Sequence, residues 1–364
     1  MTTLLQIVPQ APGSFDGVGD YAIGLAKALS ADHGYETVFA VTRPNENTTR
    51  DQFRIIEGLE SALDSAASFD HVILHYANYG YQSRGVPFRL RRFARKLRKK
   101  IRGRWITTFH ELYAFGSPWK SAFWLYPLQT RIAHDIIDLA DSCFVSSDVI
   151  EQAIHAHDPQ KTVHLVPVMS NFGESANLNW NLKSPRRWVI CGGAQLILRS
   201  LRSFVSVQPV IPRIFLPEQL DIVGGRESDV IRDRVRIMKR NLRDVTCRYY
   251  PEITASAASD ILRQCAFAWI DYFGKGKVWP GMILKSGSFA ACCAHGVVPV
   301  LSHDRPPNVP GVPFPGWFFI TPHAARFPDS EEDVGAIGEK LHAWYHRHAS
   351  AACAAQAYAE ALAS

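Results

Sequence analysis

Short apolar runs rich in β-branched residues alternate along the chain with longer segments whose apolar residues recur every three or four positions. The short runs are typical of buried strands, and the longer segments are typical of helices packed on a sheet. In the first half we predict strands at Leu4–Val8, Thr37–Val41, His71–His75, Trp105–Phe109, Ser142–Val145 and Thr162–Val166, and helices near 18–31, 87–102, 118–139 and 147–156. This regular alternation predicts parallel strands joined by right-handed helical crossovers.

A polar stretch at residues 168–187, rich in Asn, Ser, Gly and Pro, interrupts the alternation and is typical of a linker. Beyond it we predict strands near 188–192, 219–223, 267–271, 297–301 and 317–320, helices near 197–207, 228–240, 255–264 and 286–295, and two helices within 331–363. The predicted boundaries are an N-terminal domain at 1–170, a linker at 171–187, a C-terminal domain at 188–340, and a last helix within 341–364 that packs back towards the N-terminal domain. The predicted fold class is α/β, with two Rossmann-like, doubly wound parallel sheets facing a central cleft that the loops at their strand ends would line.

Composition supports a globular protein with two cores. The chain has 364 residues, of which 47% are hydrophobic and 20% are charged, and this usage excludes disordered and fibrous classes. Seven cysteines without metal-ligand spacing predict buried thiols in a reducing compartment. The chain opens without the basic segment of a secretion signal, and no apolar run approaches the roughly 20 residues of a membrane span. We therefore expect a cytoplasmic protein.

One segment carries most of the positive charge. The net charge is +6, but residues 89–104 alone contain ten Lys and Arg residues and no acid, so the rest of the chain is mildly acidic. Because so many adjacent cations repel one another, we predict that they bind an anionic membrane surface, at the inner face of the plasma membrane. The predicted contacts are Arg91, Arg92, Arg95, Lys96 and Lys99. A solvated helix face is the alternative, and nucleic acid is not expected as a partner, because no base-reading fold accompanies the charges.

A glycine-rich turn follows the first predicted strand. Gly17 and Gly19 open the first helix, where backbone N–H groups can approach an anion closely. The spacing departs from the dinucleotide fingerprint, and no acid ends the second strand, which argues against an NADP-linked oxidoreductase. A purely structural tight turn is the other alternative.

Small residues also begin a helix in the second half. The run consists of Lys285, Ser286, Gly287 and Ser288. Free N–H groups in the first turn of that helix favour binding of a diphosphate. The first turn of this half is Cys191-Gly192-Gly193, followed by Arg199. Gly193 and Arg199 are its predicted donor contacts, because the guanidinium could reach the same phosphates. A role for Ser286 as a plain helix N-cap is the alternative.

The strand ending at Phe109 delivers His110 to its carboxyl end. An imidazole there can donate a hydrogen bond or carry charge near neutral pH. A satisfied structural histidine is the alternative.

The ordered set of these motifs resembles group 1 glycosyltransferases of family 4, which have the GT-B fold. It comprises Gly17-Val18-Gly19-Asp20-Tyr21-Ala22, His110, Val166-Pro167-Val168-Met169-Ser170-Asn171 and His295-Gly296-Val297-Val298-Pro299-Val300, spread over essentially the whole chain. The resemblance implies a nucleotide-sugar donor bound mainly by the C-terminal half and an acceptor bound mainly by the N-terminal half. It also implies metal-independent, usually retaining transfer, with no cofactor beyond the sugar donor. On this basis Gly17 and Gly19 would line the donor phosphates, Arg199 would neutralise the diphosphate, and His110 would be the catalytic residue beside the reacting carbon.

The acceptor implied by the resemblance is a saccharide, lipid-linked where the basic segment binds a membrane, as in polysaccharide biosynthesis. Aromatic side chains can stack on sugar rings or lie at a lipid interface, with core packing as the alternative. The predicted acceptor contacts are Asp20, Tyr76, Asn78, Glu111 and Trp119.

The glutamate pair that many members of this family carry is missing. Ile283 and Ala291 stand at the two positions, and Ala194 stands where the family has an earlier arginine. Lys285 and the serines beside it are the predicted substitutes, because a leaving diphosphate needs positive charge and N–H donors more than a carboxylate. A catalytically degenerate GT-B binding subunit is therefore the alternative function.

Overall fold

The computed structural model of the protein describes residues 2–11, 17–43, 53–114, 118–274, 278, 280–301 and 327–364. The chain divides into two compact units. The N-terminal unit comprises Met1–Pro167 together with Ala351–Ser364, and the C-terminal unit comprises Val168–Ser350. Each unit contains one parallel sheet with helices between its strands, so the predicted α/β class is confirmed.

The N-terminal unit is built on a parallel sheet with the order β3-β2-β1-β4-β5-β6-β7 in the described part of the chain. Its strands are β1 (Thr2–Gln10), β2 (Tyr35–Arg43), β3 (Arg54–Glu57), β4 (His71–Tyr76), β5 (Trp105–Phe109), β6 (Ser142–Val145) and β7 (Thr162–Leu165). The helices before Pro167 are α1 (Gly17–His33), α2 (Leu59–Asp64), α3 (Asn78–Tyr81), α4 (Phe88–Arg98), α5 (Ser121–Leu139) and α6 (Asp148–His157).

Burial in this unit follows the sequence pattern. The central strands β4 and β5 are buried almost throughout, as expected for parallel strands covered on both faces. Helix α4 buries one stripe at helical spacing, formed by Leu90, Phe93, Ala94 and Leu97, and leaves most of its basic side chains exposed. The apolar stripe of the basic segment therefore packs against the core.

The C-terminal unit is built on a second parallel sheet, with the order β10-β9-β8-β11-β12 among the residues described. Its strands are β8 (Ser184–Cys191), β9 (Gln219–Val223), β10 (Thr246–Tyr250), β11 (Cys265–Ile270) and β12 (Val298–Leu301). Its helices are α7 (Ala194–Val207), α8 (Asp229–Asn241), α9 (Ala255–Leu262), α10 (Gly287–Ala294) and α11 (Glu331–His348). The last helix, α12 (Ala351–Ala363), belongs to the N-terminal unit, where it packs on α1.

Five elements differ from the sequence-based expectations. The helices α2 and α3 were not predicted, because segments of six and four residues are too short to show a helical period. The strands β3 and β10 were not predicted, because both lie at sheet edges and carry polar residues. Strand β8 begins at Ser184, inside the stretch assigned to the linker, because Arg187 pairs there with the buried Asp221 of β9. The strand predicted near 317–320 lies outside the described residues.

The structure also shows the state of the cysteines and the character of the helices. The seven cysteines are all described and none is in a disulfide. Within the described ranges, no helix combines the length and the apolar character that crossing a bilayer requires.

Candidate functional site

The strand order of the N-terminal unit reverses between β1 and β4. In doubly wound sheets, ligands bind beyond the carboxyl ends of the strands at such a reversal. Helix α1 begins at this point with Gly17, and Gly19 is buried in its first turn. His110 follows β5, and its backbone N–H donates to the carbonyl of Tyr76 over 2.9 Å. The rings of Tyr21 on α1 and His110 lie edge to face, 5.3 Å apart, so the structure brings the start of α1 and His110 together.

His110 is the outer member of a buried chain of polar side chains. Its Nε2 lies 3.1 Å from Nδ1 of His75, and Nε2 of His75 lies 2.8 Å from Oε1 of Gln6. Gln6 and His75 have no exposed surface, whereas His110 keeps 8%. Burial lowers the pKa of His75 to about 3, because the charged imidazolium is poorly solvated there. His75 is therefore a neutral hydrogen-bonding residue at physiological pH.

Tyr21 packs against this histidine pair and is itself contacted by Tyr358, near the other end of the chain. The hydroxyl of Tyr21 lies 3.4 Å from that of Tyr358 on α12, which lies 2.6 Å from Oγ1 of Thr108 on β5. The ring of Tyr358 also stacks on Phe144, with centroids 3.8 Å apart. Burial raises the pKa of Tyr21 to about 12, so its hydroxyl keeps its proton. Helix α12 thus supports the strand that carries His110.

In the C-terminal unit the strand order reverses between β8 and β11. Gly192 follows β8 with a φ of +132°, a conformation that residues with a side chain rarely adopt. A Cβ atom at Gly192 would overlap Oγ of Ser288, at the start of α10. Gly193 has an ordinary φ of −74° and open space around it. Gly192, rather than the Gly193 predicted as a donor contact, is therefore the glycine that lets the turn and the helix start approach.

The first turn of α10 has the features of an anion site. Ser286 caps the helix, because its side chain accepts a hydrogen bond from the N–H of Phe289 over 3.2 Å. Gly287 lies against the amide of Asn171, and a Cβ there would come within 3.1 Å of it. Ser288 is 6% exposed, and its hydroxyl has no hydrogen-bond partner among the described residues. Unpaired N–H groups and a buried hydroxyl at a helix start favour a bound anion.

Two cationic side chains belong to this region. The guanidinium of Arg199 on α7 donates from Nε to the carbonyl of Asp271 and from Nη2 to the carbonyl of Tyr272 over 2.9 Å. These bonds tie α7 to the loop after β11 and use two of the five guanidinium N–H groups. Lys285 is half-buried and directly precedes the cap of α10. Arg199 therefore has a structural role in addition to the phosphate contact predicted for it.

The predicted acceptor contacts differ in their exposure to solvent. Tyr76 and Asn78 have no exposed surface, and the amide of Asn78 bonds the carbonyl of Gly85, so their burial argues against contact with an acceptor. The phenol of Tyr76 packs at 5.4 Å from the ring of Phe109, which is the core-packing alternative. Asp20 and Glu111 are partly exposed, and Trp119 is almost fully exposed.

The sequence analysis missed Gln6 and His75, and it named Asn171 and Gly192 within their motifs without giving either a role of its own. Two polar residues in apolar strands were the available signal for Gln6 and His75, because buried polar groups need partners. Among the described residues, no group of three or more His, Cys, Asp or Glu side chains could hold a metal ion.

No protein-family model and no curated protein matches the sequence. Solved structures match over the whole chain. An alpha-glucosyltransferase in complex with UDP and a 13-mer DNA is 10% identical with a TM-score of 0.62, covering 100% of this chain and 99% of that one. A glycosyltransferase from Rickettsia africae is 12% identical with a TM-score of 0.61, covering 99% and 97%. The lipopolysaccharide outer core galactosyltransferase WaaB is 13% identical with a TM-score of 0.56, covering 99% of each chain.

This chain has the GT-B fold. The prediction of that fold is confirmed, and the neighbours named above are glycosyltransferases. The narrower resemblance to family 4 stays a prediction.

One prediction is wrong. Nucleic acid was excluded as a partner because no fold for reading bases was recognised in the sequence. The alpha-glucosyltransferase with the same fold is solved with DNA together with UDP, so the GT-B fold is compatible with a nucleic-acid partner.

Proposed function

We propose that this protein is a glycosyltransferase that moves a sugar from a UDP-sugar to an acceptor, without a metal ion and with retention of the anomeric configuration. The observation that carries the proposal is the start of α10 beside Gly192, at the strand-order reversal of a GT-B C-terminal unit. Structural neighbours with the same fold bind UDP or UDP-glucose, which supports the choice of donor.

The first turn of α10 takes the diphosphate in this proposal. Its N–H groups and the buried hydroxyl of Ser288 donate to phosphate oxygens, and Lys285 and Arg199 supply positive charge. These groups stabilise the negative charge that develops on the diphosphate as the sugar leaves. Ile283 and Ala291, which replace the family's glutamates, are both buried and apolar, so they contact no sugar hydroxyl.

Release of UDP from a panel of UDP-sugars tests the proposal, with and without membrane extract as a source of acceptor. We expect turnover with one donor, and Lys285→Ala should weaken UDP binding in calorimetry by about tenfold or more, as loss of a charged contact does. An inactive chain that still binds UDP would point to the binding-subunit alternative. Tight NADP binding without UDP binding would favour the oxidoreductase.

We further propose that the acceptor is a lipid-linked saccharide and that α4 binds an anionic membrane surface. An open groove of about 530 Å³ is lined by Phe88 and by five basic side chains, namely Arg91, Arg92, Arg95, Lys96 and Lys99. Asp135 on α5 pairs with Arg91 and Arg95. The side chains of Arg92, Lys96 and Lys99 are exposed and have no ion-pair partner in the described part of the chain.

Exposed apolar side chains continue this basic surface. Trp124 and Leu128 are 72% and 42% exposed, and their spacing puts them on the same face of α5 as Asp135, which contacts α4. Phe88 and Trp119 are 51% and 95% exposed. Basic residues beside exposed tryptophan and leucine are typical of surfaces that bind the lipid headgroup region.

Sedimentation with phosphatidylcholine vesicles, with and without phosphatidylglycerol, tests this part of the proposal. We expect salt-sensitive binding to the anionic vesicles only, and loss of binding in Arg92→Gln/Lys96→Gln/Lys99→Gln. The matched control is Lys239→Gln/Arg240→Gln/Arg243→Gln at α8, which removes three exposed cations from the C-terminal unit. Retention of a 13-mer DNA duplex without vesicle binding would overturn the membrane proposal in favour of a nucleic-acid acceptor.

A further inference from the structure

The hydrogen-bonded series of side chains from Gln6 through His75 to His110 crosses three neighbouring strands. Gln6 lies in β1, His75 in β4, and His110 directly after β5. The adjoining residues of these strands are apolar or threonine and are buried, so Gln6 and His75 have no solvent with which to bond. A buried polar side chain costs stability unless it is hydrogen-bonded, so each contact in this chain must have a donor and an acceptor.

The positions of the protons follow from the partners. Oε1 of Gln6 accepts hydrogen bonds only, so Nε2 of His75 must donate to it. Because His75 is neutral, its Nδ1 carries no proton and accepts a hydrogen bond. The ring atom facing this Nδ1 is Nε2 of His110, at 3.1 Å, and it must therefore donate. In neutral His110 the proton then sits on Nε2, and Nδ1 becomes the acceptor atom of the ring.

We propose that Gln6 and His75 are positioning residues that fix His110 in the tautomer protonated at Nε2, so that the imidazole acts on the sugar substrate with its proton in one position. This inference rests on the proposed glycosyl transfer. An imidazole whose tautomer is fixed in advance meets the substrate without reorganising, which is the benefit of a preorganised site.

The packing around the pair supports a fixed geometry. The rings of His75 and His110 are stacked at 23°, with centroids 5.4 Å apart. Tyr21 lies edge-on to both rings, at 6.0 Å from His75 and 5.3 Å from His110. The hydroxyl of Tyr21 lies 3.4 Å from that of Tyr358, so its ring is held from α12 as well. Neither imidazole can rotate without moving a tyrosine.

Nitrogen-15 NMR of the whole protein with labelled histidine tests the tautomer directly, and His110→Gln identifies the signal of His110. We expect one tautomer at neutral pH, protonated at Nε2. A signal from the tautomer protonated at Nδ1, or an even mixture of the two, would overturn the proposal. This measurement needs no substrate, so it separates failure of this inference from failure of the proposed function.

Variants then test whether His75 and Gln6 cause the bias. His75→Leu and Gln6→Met should each give a mixture of tautomers at His110, whereas His75→Asn should keep the bias, because its amide oxygen can accept where Nδ1 did. His164→Phe is the control, since His164 on β7 stacks on Phe144 rather than on this pair. An unchanged tautomer in Gln6→Met and His75→Leu would mean that these residues only fill space.

Kinetics with the UDP-sugar that turns over complete the test. We expect His75→Leu to lower kcat about tenfold with a smaller change in the KM for the donor, and His75→Asn to restore most of it. Equal losses in both variants, with a normal tautomer at His110, would overturn the positioning role. Thermal unfolding of each variant identifies any that fail to fold.

Discussion

The two units share a doubly wound parallel topology, but the strand ends at their reversals carry different chemistry. In the N-terminal unit the reversal is lined by buried side chains that hydrogen-bond to one another, with His110 backed by His75 and Gln6. In the C-terminal unit the corresponding turn is formed by backbone amides and small residues, with Gly192 fitted against Ser288. The same scaffold therefore presents a hydrogen-bonding imidazole in one unit and, in the other, the helix start for which we propose an anion.

The two units should therefore respond differently to pH and to substitution. A helix start built from N–H groups binds an anion over a wide pH range, because amides do not titrate. An imidazole chain depends on which nitrogen carries the proton, so its function responds to the residues behind it. We therefore expect substitutions in the turn at Gly192 to change donor affinity. Substitutions of Gln6 and His75 should instead change turnover and the response to acid.

The largest expected effect is loss of stability in acid, from one buried histidine in each unit. Burial lowers the pKa of His75 to about 3 and that of His295 to about 4. The unfolded chain binds protons at both residues as the pH falls below 6.5, whereas the folded chain does not. The free energy of unfolding is thus highest above pH 6.5, and it decreases as the pH falls from 6.5 towards the folded-state pKa values of the two histidines.

Between pH 7.5 and 5 each histidine should account for about 2 kcal/mol of this loss. Guanidinium unfolding of the wild type, His75→Asn and His295→Asn at several pH values measures it. Below pH 4 only the contribution of His75 should continue to grow, because His295 is then protonated in the folded chain as well. Equal slopes in the wild type and both variants would contradict the prediction.

The next effect concerns the C-terminal turn. Gly192→Ala forces a side chain into a φ of +132° and against Ser288, so we expect a stability loss of about 2–3 kcal/mol and UDP binding weakened about 100-fold. Gly193→Ala is the matched control, because its Cβ meets no atom within 4 Å. Calorimetric titration with UDP and thermal unfolding measure both. Similar losses in the two variants would show that the turn is not specific to Gly192.

These two predictions show which features of the fold and of the site could be predicted from the sequence and which could not. The alternation of apolar runs is a local property, so most strands and both sheets followed from it, as did the small-residue start of α10. The pairing of Gln6 with His75 depends on strand order, because β1 and β4 are neighbours in the sheet but 60 or more residues apart in the chain. The pattern of residues within one segment does not determine the order of strands in a sheet.

The same reasoning explains what the sequence could not decide at individual positions. Gly193 and Gly192 are adjacent and identical in type, and only the φ of +132° distinguishes the one that is required. Tyr76 and Asn78 have side chains suited to sugar contacts, but their place at the end of a central strand buries them. Residue type predicted the available chemistry, while tertiary packing decided which side chains are exposed to use it.

A smaller effect should follow from separating α12 from the N-terminal sheet. Tyr358→Phe keeps the stack on Phe144 but removes the hydroxyl between Thr108 and Tyr21, leaving buried polar groups without a partner. We expect a loss of about 1–2 kcal/mol in the free energy of unfolding. Tyr35→Phe on β2 is the control, since its hydroxyl has no hydrogen-bond partner among the residues described. A loss of the same size in both variants would argue against the bridge.

The smallest effect separates capping from donor binding at Ser286. Ser286→Ala removes the acceptor for the N–H of Phe289 and should cost about 1 kcal/mol of stability, whereas Ser286→Thr keeps the cap. If Ser286 only caps α10, UDP affinity should follow stability, with little change in the threonine variant. A loss of affinity in Ser286→Thr despite normal stability would mean that the added methyl group meets the donor, so that Ser286 lies at the bound phosphate. UDP titration beside thermal unfolding distinguishes the two, because a cap acts on the helix and a ligand contact acts on the bound phosphate.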